Sequence, residues 1–213
     1  MRELNLFIKR LIDFFGSLIG SIIISPILII IALLIKLTSK GPVFFKQERL
    51  GTDGKIFKIL KFRTMVVNAE KIGDGLFVKT EQDNRITKIG KMLRATSLDE
   101  LPQLWNVVVG DMSLVGPRPP VPHHPYEYMK YPSWAKSRFK MKPGITGLSQ
   151  VKVRASVNWD TRIKYDVQYI EKFNLFLDFK ILYKTVLKMF RSENIYLEED
   201  RNQVLVNIEE GEK

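Results

Sequence analysis

The sequence predicts an α+β, mainly helical protein. An N-terminal helix-break-helix re-enters a membrane and leads into a small membrane-associated cytoplasmic domain with a short β-hairpin and amphipathic interfacial helices. Three observations carry this. Phe14 to Ile35 is a run of 22 residues without a charge, interrupted by Ser25-Pro26. Two β-prone runs, Val43-Phe44-Phe45 and Ile56 to Phe62, bracket the turn-forming Gly51-Thr52-Asp53-Gly54. From Asn84 onward, apolar residues recur at helical spacing. The 213 residues divide into a membrane helix over 1–40, a folded domain over 41–192 and an acidic, flexible tail over 193–213.

The apolar run is long enough to cross a bilayer core, about 33 Å at ~1.5 Å per residue. No small-residue cleavage site follows it, which argues against a signal peptide. Pro26 removes a backbone donor, and the Ser25 hydroxyl can satisfy the carbonyl that loses it. Both flanks are basic: Arg2, Lys9 and Arg10 before the run, and Lys36, Lys40, Lys46 and Arg49 after it. The positive-inside rule places both flanks in the cytoplasm, which a hairpin bent at Ser25-Pro26 satisfies and a straight span does not. Kinked spans also exist, so a single crossing stays as the alternative.

Composition narrows the chemistry. Hydrophobic residues make up 45% and charged residues 27%, which excludes wholesale disorder. The absence of cysteine excludes disulfides, thiolate metal sites and cysteine nucleophiles. Two adjacent histidines, His123 and His124, make a poor metal site and a poor Ser-His-Asp candidate. The net charge is +11, but residues 193–213 carry −5 and the first 192 carry +16. A body so basic seeks polyanions: nucleic acid, phosphorylated small molecules or anionic lipid.

After the hairpin, residues 68–81 read as a loop or short helix. Asn84 to Arg94 reads as a helix with Ile86, Ile89 and Leu93 on one face. Leu98, Leu101, Leu104, Trp105 and Val108 repeat that pattern up to the natural stop at Gly110. Gly110 to Pro125 reads as an ordered loop. From Tyr128 to Trp159 seven basic residues and no acidic one are interleaved with Tyr131, Trp134 and Phe139, a mixture suited to a headgroup layer or a nucleic-acid face. The last element runs from about Asp160 to Arg191. Its stripe of Phe176, Phe179, Tyr183, Val186 and Phe190 reads first as a core-facing side, and as a membrane-surface face only in the company of the apolar run.

Asp99-Glu100 is the leading chemical candidate. Ser97-x-x-Glu100 matches a capping box, a purely structural use. Pro102 opposes that assignment, because it would fall inside the helix, so the start shifts toward Leu101 and leaves both carboxylates just before it. Adjacent carboxylates beside a phosphate suit a hard cation such as magnesium. Lys61, Arg63, Arg94 and the proline-flanked Arg118 are candidate phosphate partners, although any lone Lys or Arg is more often a solvated charge. Lys142-Pro143-Gly144-Ile145-Thr146-Gly147 offers a weak phosphate cradle without P-loop spacing.

Together these motifs resemble the bacterial sugar transferases known as monotopic phosphoglycosyl transferases. The resemblance rests on Lys9-Arg10-x-x-Asp13, the Ser25-Pro26 break, Lys61-Phe62-Arg63-Thr64-Met65, Ser97 to Asn106, Gly110 to Pro119, Lys142 to Gly147 and the Leu177-Asp178 region. It covers about Lys9 to Met189, and the chain is about the size of the family's minimal catalytic unit. It implies a re-entrant anchor on the cytoplasmic face of the bacterial inner membrane. It also implies transfer of a sugar 1-phosphate from a UDP-sugar to undecaprenyl phosphate with release of UMP. By that analogy Asp99 is the nucleophile of a covalent, ping-pong reaction, and Glu100 helps hold Mg2+ with Asp99 or orients it. Lys61, Arg63, Arg94, Arg118 and Arg154 then bind substrate phosphate, with Arg162 and Asp166 as weaker substrate-side candidates. The partners implied are the UDP-sugar, undecaprenyl phosphate and membrane lipid rather than nucleic acid, with a homodimer left open. Many relatives read Gln-Val-x-Gly-Arg where this chain has Gln150-Val151-Lys152-Val153-Arg154, which leaves the sugar unassigned. The competing readings are a single-span anchor with a basic binding or scaffold domain, and a membrane glycosyltransferase that releases UDP.

Overall fold

A computed structural model describes residues 2–72, 83–153 and 157–190. The acidic tail and Arg154 lie outside the described residues. Helix α1 (Arg2–Thr38) is one unbroken element with Pro26 inside it, rather than two helices separated by a break. The reason is local. Pro26 cannot donate to the carbonyl of Ile22, four residues back, and the Ser25 hydroxyl donates to that same oxygen at 2.8 Å.

Both ends of α1 pack on the folded body, and most of the apolar side chains between them stay exposed. Lys9, Asp13 and Ser17 are buried near one end, Ile31 and Ile35 near the other. Between them Ile19, Ile22, Ile23, Ile27, Ile29 and Ile30 are each at least half exposed. The N-terminal end is fixed by polar contacts. Lys9 pairs with Asp178 at 2.6 Å. Arg10 donates to the carbonyls of Val107 and Val108. Asp13 accepts from the amide of Leu114. The C-terminal end is fixed by a small core of Ile31, Ile35, Phe62 and Leu93.

Strands β1 (Phe44–Leu50) and β2 (Ile56–Phe62) form the expected antiparallel hairpin, with Phe44 opposite Phe62 and Phe45 opposite Lys61. The period-2 alternation of β2 sends Phe62 into the core beside α1 and turns Lys61 to the opposite face. Helix α2 (Lys88–Ala95) starts later than its apolar spacing predicts, because Ile86 is taken into a bridge with Met65 and Thr87 caps the amide of Gly90. Helix α3 (Gln103–Val109) ends at Gly110, whose φ of 97° a side chain would oppose.

Strands β3 (Ser113–Val115) and β4 (Gly144–Thr146) pair in parallel, inside segments that read as loop and phosphate cradle. The glycines there serve backbone contact and not an anion. A Cβ on Gly144 would lie 2.0 Å from the amide nitrogen of Gly116, and the Gly144 amide itself donates to Pro117. The basic aromatic stretch is not a continuous surface face. Tyr131 and Phe139 are core residues in edge-on contact, and Arg138, 1% exposed, is paired internally with Asp166; of the three aromatic rings Trp134 alone is exposed, while Lys130 and Lys140 remain at the surface.

After the short helices α4 (Ser133–Lys136) and α5 (Leu148–Lys152), two helices replace the single C-terminal element: α6 (Trp159–Lys172) and α7 (Leu175–Phe190), the latter capped by the Asn174 side chain at the amide of Leu177. On α7, Asp178 and Ile181 face inward. Phe176, Phe179, Tyr183 and Val186 face out, reversing the expectation that this stripe covers the core.

Candidate active site

Ser97 does not cap a helix. Its φ of 55° puts it in the left-handed region, its side chain makes no capping bond, and it reverses the chain after α2. A single 3-10 turn, Leu98–Glu100, follows. Pro102 then occupies the first position before α3, where a missing N–H costs nothing. Asp99 and Glu100 are thereby held on a short turn between two helices.

Lys61 reaches them from β2 and forms an ion pair with Glu100 Oε1 at 2.6 Å. Asn106 sets that register. Its side-chain oxygen accepts from the amide of Leu60 and its nitrogen donates to the carbonyl of Lys58, both at 2.9 Å. One buried amide on α3 therefore fixes the strand that carries Lys61 against the turn that carries Glu100. Asparagine is a poor helix former and is 4% exposed here. An asparagine inside an otherwise apolar helical pattern is the sequence sign of this role, which spacing alone does not reveal.

Arg118 approaches the same Glu100 oxygen at 3.8 Å. Arg94 is held by Thr64, with its Nε 3.1 Å from Oγ1, and its charge acts on Asp99. A Cβ on Gly90 would lie 1.9 Å from the Thr64 carbonyl, so this glycine permits the approach of α2 that delivers Arg94. Arg63 is not delivered to the pair. It is 5% exposed and donates to the carbonyl and hydroxyl of Ser39, just beyond α1. Asp166 does not face a substrate surface either. It is buried between Arg138 and Ser149. Arg162 stacks over Trp159. Of the sequence candidates, the structure gathers Lys61, Arg94, Asp99, Glu100 and Arg118.

The two carboxylates are electrostatically unlike. Burial pushes the Asp99 carboxyl up to about 6; Lys61 and Arg94 oppose this and the Glu100 charge reinforces it. Burial would raise Glu100 as well, but Lys61, Arg118 and Arg49 outweigh it and hold the group at about 2. Glu100 is a permanent anion matched to Lys61, and Asp99 is an ionised but poorly compensated carboxylate at neutral pH. Both basic contacts of Glu100 fall on Oε1. A hard divalent cation needs only one or two carboxylates when substrate phosphates complete its shell. Asp99 together with Glu100 Oε2 fits that requirement. No cluster of three or more metal-ligating side chains occurs among the described residues.

A family model for bacterial sugar transferases matches residues 4–192. The chain is 45% identical to a UDP-glucose:undecaprenyl-phosphate glucose-1-phosphate transferase of Klebsiella pneumoniae over 201 residues, 92% of this chain and 43% of that protein. It is 45% identical to the galactosyl transferase CpsE of Streptococcus agalactiae over 192 residues, 85% of this chain and 42% of that one. A Caulobacter vibrioides protein with the same name as the Klebsiella enzyme is 40% identical over 194 residues, 88% of this chain and 72% of its own length. The chain thus spans less than half the length of the first two relatives.

The unequal carboxylates predict opposite effects on stability. The folded state binds the Asp99 proton more tightly than the unfolded chain, so ionising Asp99 costs stability as pH rises from about 4 to about 6, and the cost stays constant above. Asp99→Asn should therefore stabilise the protein at pH 7 by up to about 3 kcal/mol and at pH 4 by almost nothing. Glu100 has the opposite sign. Its contribution is complete above about 4.5 and is lost as pH falls toward 2, so Glu100→Gln should destabilise at pH 7. Thermal unfolding in detergent with a chelator present, at pH 4 and pH 7, checks both signs.

Proposed function

The chain belongs to the bacterial sugar transferase family, and from that premise we propose that it moves a sugar 1-phosphate from a UDP-sugar to undecaprenyl phosphate, releasing UMP. The observation that carries this reading is the pair of adjacent carboxylates held at opposite ends of the carboxylate pKa range, ringed by Lys61, Arg94 and Arg118. Nucleophilic attack needs one carboxylate that is basic yet ionised. Phosphate chemistry needs fixed positive charge around it.

In the first half-reaction an Asp99 oxygen attacks the β-phosphorus of the donor. The bond from that phosphorus to the bridging oxygen breaks, and UMP leaves with the electron pair. The sugar phosphate is then an acyl phosphate on Asp99. In the second, an oxygen of undecaprenyl phosphate attacks the same phosphorus. The Asp99–phosphorus bond breaks, and the carboxylate is restored beneath a lipid diphosphosugar. Lys61, Arg94 and Arg118 offset the repulsion between anionic nucleophile and anionic phosphate. Glu100 keeps Lys61 in place and raises the basicity of Asp99 through its like charge. Magnesium, held through Asp99 and Glu100 with the donor's own phosphates, would supply further charge neutralisation.

The acceptor is a lipid, and the helix α1 suits it. It is long and apolar enough to cross a membrane by length and composition. A helix that crossed would carry one end away from the body. Here Lys9, Asp13 and Ser17 near one end and Ile31 and Ile35 near the other are all buried against one body, which supports a helix that enters the membrane from the cytoplasmic face without crossing it, with Ser25-Pro26 as the place where it can bend. The outward apolar stripe of α7, flanked by Lys180, Lys184 and Lys188, suits the same lipid surface. The relatives' names differ between glucose and galactosyl transfer, so both nucleotide sugars are candidate donors.

Incubation with undecaprenyl phosphate, magnesium and either UDP-glucose or UDP-galactose should release UMP and not UDP. Release of UDP would replace this reading with transfer of sugar alone. Asp99→Asn should lose at least about 1,000-fold in turnover while remaining membrane-bound. Topology is checked with single cysteines at the exposed positions Glu3 and Lys40, in a chain that has none of its own. Both should label from the cytoplasmic side of sealed vesicles; labelling from opposite sides would establish a crossing.

A further inference from the structure

The segment Pro117-Arg118-Pro119-Pro120 leaves its backbone few choices. Three of its four residues are prolines and lack an N–H, so the Arg118 amide is its sole backbone donor. All four carbonyls are engaged. The Pro117 carbonyl accepts from the Gly144 amide and that of Pro120 from the Leu50 amide, each at 2.9 Å. The Pro119 carbonyl accepts from Arg49 at 3.0 Å. The Arg118 carbonyl accepts from the Arg138 guanidinium at 2.7 Å.

Arg138 is an unusual donor to spend on a loop carbonyl, because it is 1% exposed and its charge must be compensated. Asp166, equally buried, supplies the compensation at 2.6 Å and is itself fixed by the Ser149 hydroxyl at 2.8 Å. The Arg118 amide also interacts favourably with the Asp166 carboxylate. One buried ion pair thus grips the Arg118 peptide from both sides. The only part of Arg118 left outside the grip is its side chain, about a third exposed and directed toward Glu100.

We propose that the Arg138–Asp166 pair, fixed by Ser149, is a positioning device for Arg118: it holds the peptide of that residue so that its guanidinium stands ready beside the carboxylate pair for the donor diphosphate. The three residues touch no substrate, and their effect on the reaction passes through Arg118. This rests on the functional reading given above and deepens it. It also gives Asp166 a role different from direct substrate contact.

The test is a double-mutant cycle on kcat/KM for whichever of UDP-glucose and UDP-galactose the wild-type chain turns over, read as UMP release and corrected for folded fraction by thermal unfolding. Arg118→Met alone should cost about 100-fold, the scale for removing one charge-stabilising donor. Asp166→Asn should cost at least about tenfold in the wild-type chain and less than about twofold in the Arg118→Met chain. Ser149→Ala, which leaves the ion pair intact, should repeat that pattern at smaller amplitude and guards against Asp166→Asn failing to fold. A residue that merely supports the fold would lower activity by the same factor in both backgrounds, and that result overturns the proposal. Full turnover by Arg118→Met also overturns it while leaving the transfer reaction standing, provided Asp99→Asn is inactive. An active Asp99→Asn would instead remove the functional reading on which the proposal rests.

Discussion

The ion pair between Lys61 and Glu100 is the contact on which the site depends. Two adjacent carboxylates on one short turn repel each other, and burial makes the repulsion worse. By compensating one of them, Lys61 lets the pair exist as an anion of low basicity beside an anion of raised basicity. Without Lys61 both groups would be driven toward protonation, and a protonated Asp99 is no nucleophile. The contact is not local: Lys61 comes from a β-strand 39 residues earlier, so the hairpin, α3 and the turn between α2 and α3 must all be in register for it to form. Asn106 provides that register with two hydrogen bonds from one side chain.

The same logic links the apolar helix to the site. Arg10 spans from α1 to the carbonyls near the end of α3, where the negative end of the helix dipole favours a cation. Arg63, beside Lys61 in sequence, grips Ser39 just past the other end of α1. The apolar helix is thereby tied to α3 at one end and to β2 at the other, the two elements that hold the carboxylate turn and its lysine. A shift of α1 relative to the body would have to break these contacts. The placement of the apolar helix and the geometry of the site are set by one set of bonds.

Much of this was legible in the residues. The hairpin is written in local β propensity and turn chemistry, and Pro102 disclosed that Ser97 caps nothing. Lys61, Arg94, Arg118, Asp99 and Glu100 are brought together as expected, while Arg63 is diverted to the helix end. What stayed illegible depends on long-range partners. The parallel pair of β3 and β4 has three residues a side, too few for any periodicity, and its glycines mimic an anion cradle. Arg138 reads as one more surface cation until Asp166, 28 residues on, is seen beside it. The α7 pattern announces an amphipathic helix correctly, but periodicity states only that two faces differ, not which one the protein covers.

Covalent phosphorylation of Asp99 during turnover is the step on which the proposed reaction turns. Intact and peptide mass spectrometry after incubation with donor alone, UDP-glucose or UDP-galactose and no lipid acceptor, tests it most directly. A hexose phosphate adduct on the peptide containing Asp99 should form in step with one equivalent of UMP and discharge when undecaprenyl phosphate is added. UMP release matched by an unmodified Asp99 peptide, or an adduct located on another side chain, would contradict it.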